Sequence, residues 1–393
     1  MDKKQLGQFF TTNSDYILAG FEKYVCGKDI IDPFAGSGDL LTWAEKNMAL
    51  NIKGYDIDKK LINKKIHYND SLNNHGNYKF ILTNPPYLNI NKADIQTKNK
   101  YFSFVNFEDL YQAALFSIMN SEEGIVIVPI NFLSAENSQK IREIFFTKFE
   151  IIEMNYFKQQ VFSDTTYNVI SFYYKKKKNI FSDNFIIKTK IYPDFVKINI
   201  KLEKKFDWTI GGKLLSQIRS YENKLGIYRL TEDHIQIGNK EISVAYNHIK
   251  DIRKYNISEE FYKNLRQNII LLRAIDSGTD KGRIKLENIK NYDLECLISK
   301  ESSRNMIYLI FKETISVYEQ EKIIELFNSE LNKIRENYLS LFLTNFRDND
   351  RKRISFDFAY KLINYLYFTR LKNSNISNNI MIKYQKQQQL SFI

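Results

Sequence analysis

The chain has 393 residues, 43% of them hydrophobic and 26% charged, a balance that excludes a disordered or fibrous protein and leaves room for two or three domains with real cores. Its formal net charge is +12: residues 1–178 carry 22 basic against 20 acidic side chains and residues 179–393 carry 36 against 26, so the surplus sits in the C-terminal half, as expected where a chain meets phosphates. Cys26 and Cys296 are too far apart in sequence for a disulfide framework or a zinc site; His67, His75, His234 and His248 show no metal-ligand spacing, and no apolar run approaches a membrane span.

In chain order, Asp29–Asp32 reads as a short buried strand that runs into a glycine turn, Pro33-Phe34-Ala35-Gly36-Ser37-Gly38, with a helix from Asp39 to Ala49. Gly36 and Gly38 let the backbone approach a ligand closely, and the helix start beyond them favours a carboxylate. This is not the glycine spacing of a dinucleotide fingerprint, which argues against a nicotinamide cofactor. A second strand, 52–57, ends in Asp56, 24 residues after Asp32, the reach of one βαβ unit and a place where an acid binds ribose hydroxyls. Tyr68-Asn69-Asp70-Ser71 puts another acid at a candidate strand end, able to accept from an adenine amino group. Each acid alone reads equally as a solvated residue or a helix cap; their order and spacing give the joint reading its weight.

Strand 79–83 then delivers Asn84-Pro85-Pro86-Tyr87 to the sheet edge where open α/β sheets bind ligands. Two of the chain's five prolines stand here, and composition alone would produce the tetrapeptide in roughly one chain in a few thousand, so it is more than the turn that Asn-Pro ordinarily signals. An exocyclic amine on a base is a poor nucleophile because its lone pair is delocalised into the ring. Two acceptors aimed at its N–H bonds, the Asn84 side-chain oxygen and the Pro85 carbonyl, favour the pyramidal nitrogen that can attack, and the prolines fix the backbone at low entropic cost. Tyr87 offers a flat face for the base. Further strands near 125–129, 150–156 and 168–174 alternate with helical stretches Glu108–Asn120 and Ser134–Phe146, except that no helix separates the last two strands. Lys175-Lys176-Lys177-Lys178 ends the pattern and reads as a solvated linker, which places a domain boundary at residue 178.

With Gly7-Gln8-Phe9-Phe10-Thr11-Thr12 ahead of the glycine turn, the N-terminal half resembles the γ-class N6-adenine-specific DNA methyltransferases of type II restriction–modification systems. The resemblance implies an α/β fold: a doubly wound, mostly parallel seven-stranded methyltransferase sheet over residues 1–178, closed by a hairpin, and a mixed α/β DNA target-recognition domain over 179–393. It implies S-adenosylmethionine as methyl donor and no metal, with Thr11, Thr12, Asp32, Gly36 and Gly38 around the methionine end. Asp56 would take the ribose and Asp70 the adenine ring, with Pro33, Phe34, Ser37, Ile57 and Ser71 completing the cofactor set. Asn84, Pro85, Pro86 and Tyr87 match the catalytic motif without substitution, and Phe162, in Val161–Ile170, matches the aromatic that packs on the far face of a flipped adenine. Phe162 reads equally well as a core aromatic. Thr12 replaces a common proline and Asp56 a commoner glutamate. Implied partners are double-stranded DNA and a separate restriction endonuclease, for a monomer in a bacterial cytoplasm with no membrane contact.

The C-terminal half is less legible. Ala274–Arg283, rich in glycines, hydroxyls and charges, suits either base-edge contacts or a plain surface loop. Glu319–Leu343 has helical spacing with a core-like stripe; Arg347-Asp348-Asn349-Asp350-Arg351-Lys352-Arg353 suits phosphate; and the tail 373–393, rich in Asn, Gln and Lys, reads as partly flexible. Pro193-Asp194 and Glu203-Lys204-Lys205 faintly resemble a metal-nuclease pattern. Three alternatives stay open: a methyltransferase for a protein glutamine or an RNA guanine, a modification subunit that reads DNA only with a specificity partner, and a DNA-binding protein that has kept the fold and lost the reaction.

Overall fold

Ile125–Val128 is apolar without a break, and Ile170, Ser171 and Phe172 are all fully buried, as in strands covered on both faces; the two runs form the centre of a nine-stranded sheet. The computed structural model of the protein describes all residues except 1–6, 8–10, 104–105, 163–167, 278, 280–281, 339, 341, 346–350 and 373–393. The strands are β1 (Asp29–Asp32), β2 (Asn51–Asp56), β3 (Ile66–Tyr68), β4 (Tyr78–Thr83), β5 (Ser121–Pro129), β6 (Phe149–Phe157), β7 (Val169–Lys176), β8 (Asn184–Tyr192) and β9 (Val196–Glu203). The helices of this unit are α1 (Ser14–Ile17), α2 (Glu22–Val25), α3 (Asp39–Lys46), α4 (Ile95–Tyr101), α5 (Leu110–Ser117), α6 (Asn131–Ser134) and α7 (Gln139–Lys148).

The strand order is β3-β2-β1-β4-β5-β7-β6-β8-β9. Pairing is parallel from β3 through β5, and again between β6 and β8; β7 runs antiparallel to both its neighbours, and β9 antiparallel to β8. The expected antiparallel pair after residue 149 is therefore present as β6 and β7, but the sheet has nine strands rather than seven. The boundary expected at residue 178 falls inside this unit, because β8 and β9 extend the same sheet and the unit runs to Gly212. Chain order reverses between β1 and β4, and the crevice at such a switch point is where doubly wound sheets hold ligands.

Local choices agree with this placement. Gly38, at φ 86°, starts α3, whose Asp39 and Lys46 complement the helix dipole and whose Leu40, Leu41, Trp43 and Ala44 are buried. A side chain at Gly54 would meet the Ala35 Cβ at 2.6 Å, so β2 packs against the glycine turn through a bare backbone. The nuclease-like acids are not gathered: Asp194 sits in the β8–β9 turn and Glu203 pairs in register with Asn184 at the far end, roughly 25 Å away at the rise of a strand.

The second unit opens at Lys213. It contains α8 (Gly212–Arg219), β10 (Tyr228–Arg229), β11 (Ile237–Tyr246), β12 (His248–Ile257), α9 (Glu259–Gln267), β13 (Ile270–Arg273), β14 (Lys285–Asn288), β15 (Leu297–Ile298), β16 (Met306–Ile310), α10 (Val317–Asn337) and α11 (Phe356–Leu366). A four-stranded sheet, β10-β16-β13-β14, and a three-stranded one, β12-β11-β15, share this unit. The expected long helix is α10, started by a reciprocal cap in which Ser316 and Glu319 bond each other's backbone N–H, with Ile323, Phe327, Leu331 and Ile334 buried.

The Ala274–Arg283 segment, which suits either base-edge contacts or a plain surface loop, is anchored at its start by Asp276. Asp276 is buried and accepts both arms of the Arg335 guanidinium, at 3.1 and 2.8 Å, together with the backbone N–H of Ile284 and Lys352. Arg351 donates to the Asp276 carbonyl at 2.9 Å, so this part of the expected phosphate cluster is spent on structure, while Arg347–Asp350 lie outside the described residues. Arg335→Met leaves a buried carboxylate without its cation and is expected to destabilise the second unit by about 3 kcal/mol, read as a shift of its denaturant midpoint. A change below about 0.5 kcal/mol, the range of ordinary surface substitutions, would show that the pair does not anchor the loop.

Candidate active site

Asp32 ends β1 as one of the least exposed carboxylates in the chain, at 1%. Its Oδ1 accepts from the Phe34 N–H at 3.0 Å and from the Thr83 hydroxyl at 2.6 Å, while Oδ2 is buried with no partner among the described residues. The first bond shapes the glycine turn and the second reaches across the switch point to the residue before Asn84. Burial, reinforced by the Asp56 charge, pushes the Asp32 carboxyl up to about 7 against the pull of these two bonds.

Asp56 ends β2 and closes the turn from the other side. Its Oδ2 accepts from the Gly36 N–H and its Oδ1 from the Asp58 N–H, both at 2.8 Å, and burial raises its pKa. Asp70 follows β3; its Oδ2 takes the Lys100 ammonium at 2.8 Å, the Asn73 amide at 3.1 Å and the Tyr101 hydroxyl at 3.3 Å. The Tyr101 hydroxyl is pushed up to about 12, chiefly by burial.

These groups surround a cleft of about 590 Å³, part of it open to solvent, lined by Pro33, Phe34, Gly36, Asp56, Ile57, Asn69, Asp70, Ser71, Leu72, Asn84, Pro86, Tyr101 and Leu110. Nine of these positions are ones the sequence singles out. Asn69, which is in the Tyr68–Ser71 run, and Leu72, Tyr101 and Leu110 join them without a motif of their own; Tyr101 is buried at the end of α4, one turn after the buried Thr97. Ser37 and Thr12 are exposed, and Asp32, Gly38, Pro85, Thr11, Tyr87 and Phe162 are not among the lining residues.

Two of those, Tyr87 and Thr11, lie behind Asn84. The Tyr87 hydroxyl sits 2.5 Å from Asn84 Oδ1 and 2.7 Å from the Ile127 carbonyl, and the Asn84 amide nitrogen donates to Thr11 Oγ1 at 3.1 Å. The amide is thus held at both its oxygen and its nitrogen. Tyr87 is 5% exposed, so its ring is core and its hydroxyl a tether, not the open stacking face expected from sequence; burial raises its pKa well above the ordinary value. Thr11, expected near the methionine end of a cofactor, serves Asn84. Phe162 is 3% exposed, and Ser163–Tyr167 beside it lie outside the described residues.

Gly7 completes the grip. Its carbonyl accepts from the Tyr87 N–H at 2.9 Å, its φ is 62°, and a Cβ there would meet the Tyr87 carbonyl oxygen at 2.8 Å. Only glycine fits such an approach at positive φ.

The model of the Eco57I restriction-modification methylase family matches residues 32–162, the stretch from Asp32 through the tetrapeptide to Phe162. Among solved structures the chain is similar to the type IIL restriction-modification enzyme MmeI in complex with DNA, at 14% identity over 89% of this chain and 64% of that one, with a TM-score of 0.51. It also matches the type I restriction enzyme EcoKI M protein (14% identity, 42% of this chain and 44% of that, TM-score 0.34) and a type I restriction-modification methyltransferase subunit from Streptococcus thermophilus (14%, 46% and 47%, 0.33). The chain therefore spans less than half the length of the two type I subunits and under two thirds of MmeI, and the likeness is one of fold. Among curated proteins no sequence matches significantly. The family match covers residues 32–162, one third of the chain, and the likeness to MmeI is a likeness of fold.

Because the folded-state pKa of Asp32 lies above its ordinary 3.8, the folded protein holds an extra proton between that value and about 7, and stability falls as pH rises through this window. Asp32→Asn is expected to gain on the wild type in thermal midpoint as pH goes from 4 to 8, and parallel profiles would refute the assignment. For the strap, Gly7→Ala is expected to speed amide exchange at Tyr87 by about tenfold, the effect of roughly 1.4 kcal/mol of local strain. Unchanged protection would mean that the contact at Gly7 is dispensable.

Proposed function

We propose that this chain is an S-adenosylmethionine-dependent DNA methyltransferase that acts on the exocyclic N6 of an adenine turned out of a duplex, protecting its DNA from a cognate restriction endonuclease. The observation that carries the reading is the Asn84 amide, set at the cavity edge and oriented from behind by Tyr87 and Thr11. The restriction–modification likeness supports the same substrate class, and the basic surplus of residues 179–393 suits duplex phosphates.

The cavity fits the cofactor on its own terms. Asp56 is the acceptor for ribose hydroxyls, and Asp70 with Leu72, Tyr101 and Leu110 forms a mixed wall suited to a purine; Asp32, behind the glycine turn and outside the lining, keeps a buried oxygen without a partner that suits a cation. S-adenosylmethionine, when bound, supplies a methyl group on a positively charged sulfur that leaves as a neutral thioether.

The chain's own work is done by acceptors. Asn84 Oδ1 and the Pro85 carbonyl receive the two N–H bonds of the adenine amine, localise its lone pair and stabilise the positive charge that grows on nitrogen as it is alkylated. Tyr87 and Thr11 keep the amide from rotating its nitrogen toward the base, an error that would present a donor to a donor. The excess proton on the methylated nitrogen passes to solvent, since an amide oxygen is too weak a base to keep it. Removing the base from the stack costs a few kcal/mol, which contacts in the site must offset.

Asn84→Ala is expected to lower methyl transfer from radiolabelled S-adenosylmethionine to unmethylated duplex DNA by at least about a hundredfold, with cofactor affinity kept within threefold. Tyr87→Phe, which keeps the ring and loses the tether, is expected to fall between this variant and the wild type. Label recovered in wild-type reactions as anything other than N6-methyladenine, or near-normal turnover by Asn84→Ala, would refute the reading.

A further inference from the structure

Three donors crowd one oxygen of Asp70 and leave the other alone. Lys100, Asn73 and Tyr101 all point at Oδ2, at 2.8, 3.1 and 3.3 Å, and no described residue donates to Oδ1. Two of the three come from α4, consecutive in sequence, and the Lys100 ammonium also lies 4.9 Å from the Tyr101 ring centre. Asp70 and Tyr101 line the cavity; Lys100 does not, and its side chain stays 39% exposed against 13% for Asp70. The ammonium therefore approaches Asp70 from outside the cavity wall. A carboxylate that bonds at one oxygen only is fixed in rotation, and its second oxygen becomes an acceptor with a set direction.

Resting on the reading of this cavity as the cofactor site, the geometry points to Lys100 as a positioning residue that makes the site select a 6-amino purine over a 6-oxo purine, by pinning Asp70 Oδ2 so that Oδ1 faces the exocyclic amine. An oxygen that only accepts matches an amine, which donates, and opposes a ring carbonyl, which also accepts. Sites built to bond one polar group reject analogues lacking it far more sharply than apolar walls do. Without the ammonium, the carboxylate swings about its bond to Cβ and the direction of Oδ1 is lost. Tyr101 and Asn73 are weaker anchors, because both are neutral and both bonds are longer.

Isothermal calorimetry on the full chain tests this with two thioethers, S-adenosylhomocysteine and S-inosylhomocysteine, which differ at the purine 6-position. The wild type is expected to prefer the adenosyl compound by at least about tenfold. Lys100→Met is expected to bring that ratio near one, mainly by weakening the adenosyl compound, and Lys100→Arg, which restores the cation, to hold it within about threefold of the wild type. A merely structural ion pair would weaken both thioethers together and leave the ratio unchanged, which overturns the proposal. If Lys100→Met does not fold, Lys100→Gln gives the same comparison, and an unchanged ratio there overturns it equally. Equal binding of the two thioethers by the wild type also refutes the role of Lys100 while leaving the cofactor reading in place; binding of neither defeats the cofactor reading itself.

Discussion

The bond from Thr83 to Asp32 is the constraint on which the first unit turns. It joins the end of β4 to the end of β1 at the switch point between the two parallel halves, and it does so through a carboxylate buried almost completely. On one side the same carboxylate oxygen holds the Phe34 N–H and so the path of the glycine turn. On the other, Thr83 is covalently next to Asn84, so the position of the amide follows from the position of Asp32. An isolated buried charge is costly, and the raised pKa of Asp32 is the record of that cost.

From that anchor the acceptor is built outward by contacts distant in sequence. Thr11 and Gly7 come from ahead of β1, Ile127 from the middle of β5, and all three converge on the residues that follow β4. Thr11, Gly7 and Ile127 do not line the cavity, yet together they hold Asn84 and Tyr87 in place. Holding a dipole in place before the reaction is what lets it act without reorganising, and a low-dielectric setting strengthens each bond.

The parts of the fold legible in sequence were those with local causes. β1, β2 and β4 carry apolar runs of strand length that end in an acid or in the tetrapeptide, and α3 starts at the glycine that its left-handed backbone requires. Tertiary causes were not legible. The lysine run at 175–178 reads as a solvated linker, but Lys175 and Lys176 finish β7, and Lys177 is buried, its ammonium 4.4 Å from the Trp208 ring centre and donating to the Ser182 carbonyl at 2.9 Å. A cation covered by an indole face has no signature in a stretch of four lysines, so β8 and β9 were separated from the sheet they extend. In the same way Tyr87 and Thr11 were visible as members of a motif, but their partners lie 40 and 73 residues away, and only the fold shows that both work on Asn84. Lys100 belongs to no pattern at all; it matters through the oxygen of Asp70 that it takes.

The two ends of the nine-stranded sheet differ in a way that bears on how the protein behaves in a crowded solution. At one end β3 has three residues, too few to template a further strand. At the other, β9 is eight residues long, and its exposed row carries Lys197, Asn199 and Lys201, two ammonium groups along an edge that would otherwise offer unpaired N–H and C=O groups to another chain. A second molecule that tried to add a strand there would have to bring its own lysines against these. Brevity at one margin and charge at the other keep a sheet of this width from growing by recruitment, which is the ordinary fate of broad flat sheets left open.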